Sequence, residues 1–126
     1  MLDHLRQKAA QALACARSVI LSSYGPADIQ TSRLACAADG LTLYVFIPRS
    51  SDHLLNLEHR AGVVVSANSW ELHGSARVLS ADEIPAAPRH PEPDANSPVG
   101  CVVAILPTRL TIHAQTGQGN SETIDF

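Results

Sequence analysis

The chain has 126 residues, with nine Lys or Arg, twelve Asp or Glu and six His, giving a formal net charge of −3; 45% of the residues are hydrophobic and 4% aromatic. That length fits one domain over residues 1–126 with one real core, and the apolar content excludes wholesale disorder. Scattered basic residues in an acidic chain argue against a nucleic-acid surface, and the longest unbroken apolar run, Val102 to Leu106, is far short of a membrane span.

Leu2, Leu5, Ala9, Ala12, Leu13 and Ala16 recur at helical spacing, which predicts an amphipathic helix from residue 3 to about 16 with Asp3 as its cap. The same opening lacks the continuous apolar core of a secretory signal, so a cytoplasmic location is expected. Ser18 to Ser23, centred on Val19-Ile20-Leu21, reads as a short buried strand. Tyr24-Gly25-Pro26 marks a turn. Residues 28 to 37 read as a second strand, with Gln30, Ser32, Leu34 and Cys36 on one face and Ile29, Thr31, Arg33 and Ala35 on the other. Asp39-Gly40 signals a hairpin into a third strand, Leu41 to Ile47, which Pro48 ends.

Ser50-Ser51-Asp52 then offers three N-caps for a short helix that ends before Gly62, with Leu54, Leu55 and Leu57 as its apolar side. Val63 to Ala67 and Leu72 to Ser80 are two more strands, joined through Asn68-Ser69-Trp70-Glu71. Five of the eight prolines fall within residues 81–98, which predicts an extended surface loop. Val99 to Leu106 reads as a strand covered on both faces. Pro107 predicts a bend before a further strand around Leu110 and Ile112. Gly117, Gly119 and Asn120 form a loose turn leading to a tail, Glu122 to Phe126. The expected fold is mainly β: a six- to seven-stranded antiparallel barrel with a leading helix and a short helix after the third strand.

Cys15, Cys36 and Cys101 are odd in number, widely spaced and free of any CxxC. They read as three small buried hydrophobes in a reducing compartment. The six histidines show no HxH, HxxxH or HxxE spacing, so no metal site is expected. There is no GxSxG and no glycine-rich phosphate loop.

Pro48 to Leu57 runs from a strand into a helix, where backbone N–H groups lie unsatisfied and favour an anion. Arg49 could fork onto a phosphate, with Ser51 and His53 as further donors. Asp52 adds an opposing charge, and taken alone the segment reads more simply as an ordinary Ser cap beside a solvated Arg and His. Thr31 and Ser32 suit either the polar edge of a flat ring or the wet face of a strand. Trp70 could stack on a ligand or pack, and His73 stands beside it with Gly74, which marks a bulge or a close backbone approach.

Gln30-Thr31-Ser32, Asp39-Gly40, Leu43-Tyr44-Val45-Phe46-Ile47, Ser51 to Leu57, Ala61-Gly62-Val63-Val64-Val65 and Gly74-Ser75-Ala76-Arg77-Val78 follow one another in an order that resembles the FMN-binding split barrels of the pyridoxamine 5′-phosphate oxidase-like superfamily. The resemblance runs from about Ala9 to Ser80, with a weaker continuation over Val99 to Phe126. It implies a homodimer with FMN at the subunit interface and a flavin-dependent oxidoreductase of unread substrate. It also implies that Thr31 and Ser32 line the flavin, that Arg49, Ser51 and His53 hold its phosphate, and that Trp70 and His73 belong to the cofactor site. Two residues depart from the pattern: Ile47 replaces a Thr and His53 replaces a Lys. His53-Leu54-Leu55-Asn56-Leu57 also resembles a segment of the haem-utilisation branch, so haem is the alternative cofactor. A cofactor-free, non-enzymatic member is the third reading.

Overall fold

A computed structural model describes residues 2–80, 83, 100–113 and 122–126. Helix α1 (Leu2–Ala14) leads into β1 (Ser18–Ser23), β2 (Gln30–Asp39) and β3 (Thr42–Pro48). Helix α2 (Asp52–His59) precedes β4 (Gly62–Ser66) and β5 (Trp70–Val78), and β6 (Gly100–Ile112) and β7 (Glu122–Asp125) complete the chain. The strands form one antiparallel sheet in the order β3-β2-β1-β4-β5-β6-β7, and a further β3–β6 pairing closes the first six into a barrel. β7 is an additional strand on the outer half of β6.

Strict alternation builds the interior, because successive side chains in a strand point to opposite faces. Val19 and Leu21, Leu34 and Cys36, Leu43, Val45 and Ile47, Val63 and Val65, Leu72, and Val103 and Ile105 face inward and are buried. Ala9 and Leu13, both fully buried, bring α1 against this core. The β2–β3 hairpin turns at Gly40, whose φ of +59° suits glycine.

β6 differs from the expected two strands with a bend at Pro107. It is one continuous strand whose first half lies between β3 and β5 and whose second half lies between β5 and β7. Pro107 is accommodated because the register shifts beside it: Gly74 pairs with Pro107, His73 pairs with Arg109, and Thr108 is the extra residue. The Thr108 hydroxyl donates to the His73 carbonyl at 3.0 Å. Gly74 answers both of its expected roles, since a Cβ there would lie 2.7 Å from the Leu106 carbonyl oxygen.

The expected tail over 122–126 is a strand. Ile124 is buried against Leu110, the Arg109 Nε donates to Asp125 at 2.7 Å, and Lys8 of α1 pairs with Glu122. The cysteine reading holds only for Cys36; Cys15 is exposed and Cys101 half-buried. The proline-rich segment 81–98, apart from Glu83, and the turn over 117–120 lie outside the described residues. Among those described, no helix is long and apolar enough to cross a membrane.

Candidate functional site

The predicted strand-to-helix segment folds as its residues dictate. The Ser51 N–H donates to the Pro48 carbonyl at 3.0 Å, forming a turn, and the Ser51 hydroxyl accepts from the His53 N–H at 3.2 Å. Ser51 is therefore the N-cap of α2, with φ −74° and ψ 138°. Asp52 occupies the first turn, where its charge complements the helix dipole.

Leu54 and Leu57 pack half-buried against the core as expected, but the most deeply buried residues of α2 are polar. His53 and Asn56, three residues apart, are 1% and 0% exposed, while Leu55 is 42% exposed. Asn56 fastens the turn between β1 and β2. Its Oδ1 accepts from the Ala27 N–H at 2.9 Å, and its Nδ2 donates to the Asp28 carbonyl at 2.9 Å and to Ser23 Oγ at 3.1 Å. Backbone N–H and C=O groups can act in only one sense, so they fix the orientation of the amide. Asp28 has a φ of +62°, a strained value that Asn56 helps to hold.

The same accounting fixes the tautomer of His53. Ser23 Oγ lies 2.6 Å from His53 Nδ1 and already accepts from Asn56. Its single proton has one acceptor within reach among the described residues, which is Nδ1. The ring proton therefore sits on Nε2 and donates to Ser32 Oγ at 3.1 Å. Burial lowers the His53 pKa below its ordinary 6.5, against the opposing pull of Asp52, and keeps the ring neutral. The half-buried Ser32 hydroxyl ends this chain, and its own proton has no acceptor among the described residues.

These contacts correct three expectations. His53 is not a donor to an external phosphate, because both ring nitrogens are engaged inward. Thr31 and Ser32 do not line one surface: Ser32 faces α2, whereas Thr31 is exposed on the outer face, its Oγ1 3.3 Å from Ser22 Oγ. Trp70 is 1% exposed and packs in the core, and the groove it borders takes in none of Arg49, Ser51 and His53. Arg49 is exposed and makes no ion pair among the described residues.

His73 lies apart from this group, on the outer face of β5, with Nε2 3.3 Å from Glu71. It borders a groove of about 480 Å³ that also takes in Ser22, Tyr24, Ile29, Val64 and Thr108. Arg60 stands 5.2 Å from the centre of the Tyr24 ring at the edge of this groove. Among the described residues no cluster of His, Cys, Asp and Glu could hold a metal ion. Sequence reasoning missed Ser23 and Asn56. Their signal was a Ser continuing the inward phase of Val19 and Leu21, and an Asn one helical turn from His53.

No family model and no curated protein sequence matches the chain. Solved structures do. General Stress Protein 26 from Bacillus anthracis str. Sterne superposes with a TM-score of 0.71 at 17% identity, covering 98% of this chain and 99% of that one. A Clostridium acetobutylicum protein related to general stress protein 26, of the pyridoxinephosphate oxidase family, gives a TM-score of 0.69 at 10% identity over 98% of this chain and 96% of that one. A heme binding protein from Mycobacterium smegmatis gives 0.71 at 19% identity, over 95% of this chain but only 57% of that one. The fold is thus a split barrel of the pyridoxamine 5′-phosphate oxidase-like kind.

Proposed function

We propose that this chain is an FMN-binding split-barrel protein that takes up flavin reversibly and serves a flavin-dependent oxidoreductase reaction. The observation that carries the reading is Arg49, an exposed guanidinium without an ion-pair partner among the described residues, placed two residues before the Ser51 cap. A guanidinium fork and a hydroxyl at a helix start suit one phosphate monoester. The inward His53 and the acidic Asp52 leave that phosphate with a single cation, so binding is weak. Bound FMN would supply the redox chemistry; Arg49 and Ser51 would hold its phosphate, and the half-buried Ser32 hydroxyl is a donor for an acceptor atom of the ligand. Exposed Tyr24, Ile29 and Leu106, at 52%, 68% and 59%, support a homodimer that covers the outer face and encloses the ligand. Three unpaired cysteines support a reducing, cytoplasmic setting.

Flavin fluorescence during titration with FMN tests this. We expect saturable quenching, loss of the flavin on gel filtration, and about tenfold weaker binding for Arg49→Ala and for riboflavin, which lacks the phosphate. Unchanged affinity in Arg49→Ala overturns the phosphate site, and absence of quenching overturns the flavin reading. A second reading, haem, is favoured by one observation: His73 borders the apolar outer groove. Haemin would then give a Soret band that His73→Ala removes.

A further inference from the structure

A second concave site lies where the end of α1 meets the start of β1 and the β4–β5 turn. It is a groove of about 420 Å³. Arg17 and Arg33 line it, together with the neutral polar groups of Ser66, Asn68 and Ser69, and Ile20 provides an apolar wall. Among the described residues no carboxylate lines it. This is unusual for a chain with a net charge of −3. The basic residues elsewhere are mostly engaged: Lys8 with Glu122, Arg77 with Glu83, Arg109 with Asp125, Arg6 over Phe126 and Arg60 over Tyr24. Among the described residues, three guanidiniums have neither an acid nor a ring: Arg49, and the two on this groove. Arg33 is steadied there by its Nη1 donating to Ser18 Oγ at 3.3 Å.

We propose that this groove is a binding site for a small organic phosphomonoester with an apolar body. Two guanidiniums without counter-charges among the described residues repel each other, and a bound dianion would relieve that repulsion. Concave walls focus their field. A phosphomonoester carries more charge than a carboxylate and offers oxygens to both forks. The volume exceeds that of inorganic phosphate, and Ile20, Ala12 and Ala16 suit the rest of the molecule. Arg49 and Ser51 are not part of the groove, so this site stands independently of the flavin reading.

Phenyl phosphate is the probe, followed by ¹H–¹⁵N NMR at the Asn68 and Ser69 amides and the arginine Nε–H groups. We expect saturable shifts confined to the groove, about tenfold weaker binding after Arg17→Gln with Arg33→Gln, and clearly weaker binding of benzoate. Both arginines are exposed, so the double variant keeps its fold, which its melting curve checks. Equal affinity for benzoate, unchanged affinity in the double variant, or no saturable shift would each overturn the site. FMN affinity in the same variant separates the two proposals. If it falls there and not in Arg49→Ala, the groove stands and the phosphate site at Arg49 fails.

Discussion

The two ends of the barrel treat polar groups in opposite ways. Beneath α2, the side chains of Ser23, His53 and Asn56 are buried and each polar atom has a partner, down to the tautomer of the imidazole. At the groove beside α1, the guanidiniums of Arg17 and Arg33 are exposed and lack counter-charges among the described residues. A saturated network specifies structure, because removing any member orphans buried groups. An unsaturated cluster contributes little to stability and is available to a ligand. The residue that the resemblance assigns to phosphate binding, His53, belongs to the first kind.

The largest effect tests the saturated end. Asn56→Ala removes three hydrogen bonds and strands the Ala27 N–H and the Asp28 carbonyl, so we expect a loss of about 3–4 kcal/mol in urea denaturation. His53→Lys, which restores the residue of the family pattern, forces an ammonium into a site built for a neutral ring. We expect it to cost about 2–3 kcal/mol. A stable His53→Lys variant with tighter FMN binding would show that the side chain at this position can turn outward.

A smaller effect follows from pH. The folded pKa of His53 lies below its unfolded value of 6.5, so between the two the unfolded chain binds more protons. Stability contributed by the neutral ring is present above 6.5 and is lost as pH falls toward the folded pKa. Denaturation midpoints measured from pH 7.5 downward should show this slope, and His53→Gln should remove that component. The smallest effect belongs to the unsaturated end: Arg17→Gln should change stability by no more than about 0.5 kcal/mol. A larger loss would mean that Arg17 is structural and would blur the contrast between the two ends.

Much of the barrel was legible because alternation is a local signal. Leu43, Val45 and Ile47 announce their inward face, Asp39-Gly40 its hairpin, and Ser51 its cap. β6 was misread because Pro107 breaks strands unless the partner register shifts, and that shift depends on Gly74, remote in sequence. β7 was read as a tail because its short alternation around Ile124 gains meaning only beside Leu110. The candidate site was less legible than the fold. Which face of α2 is buried depends on Ser23 and the turn at Asp28, whose positions no local pattern supplies. Leu54 and Leu57 announce two contacts of the inner face, but nothing local marks His53 and Asn56 as its most buried members or Leu55 as exposed.

β6 carries a consequence for the order in which the molecule opens and closes. Val103 to Ile105 are paired with β3 on one edge and β5 on the other, whereas β7 meets β6 on one edge only. Amide exchange should therefore be slowest at the centre of β6 and fastest along β7. Tyr44 pairs with Ala104, far along the chain, so barrel closure is among the most non-local steps of folding. Until that pairing forms, the earlier strands make an open sheet whose free β3 edge is available to other chains, and the time spent in that state sets the window for misassembly.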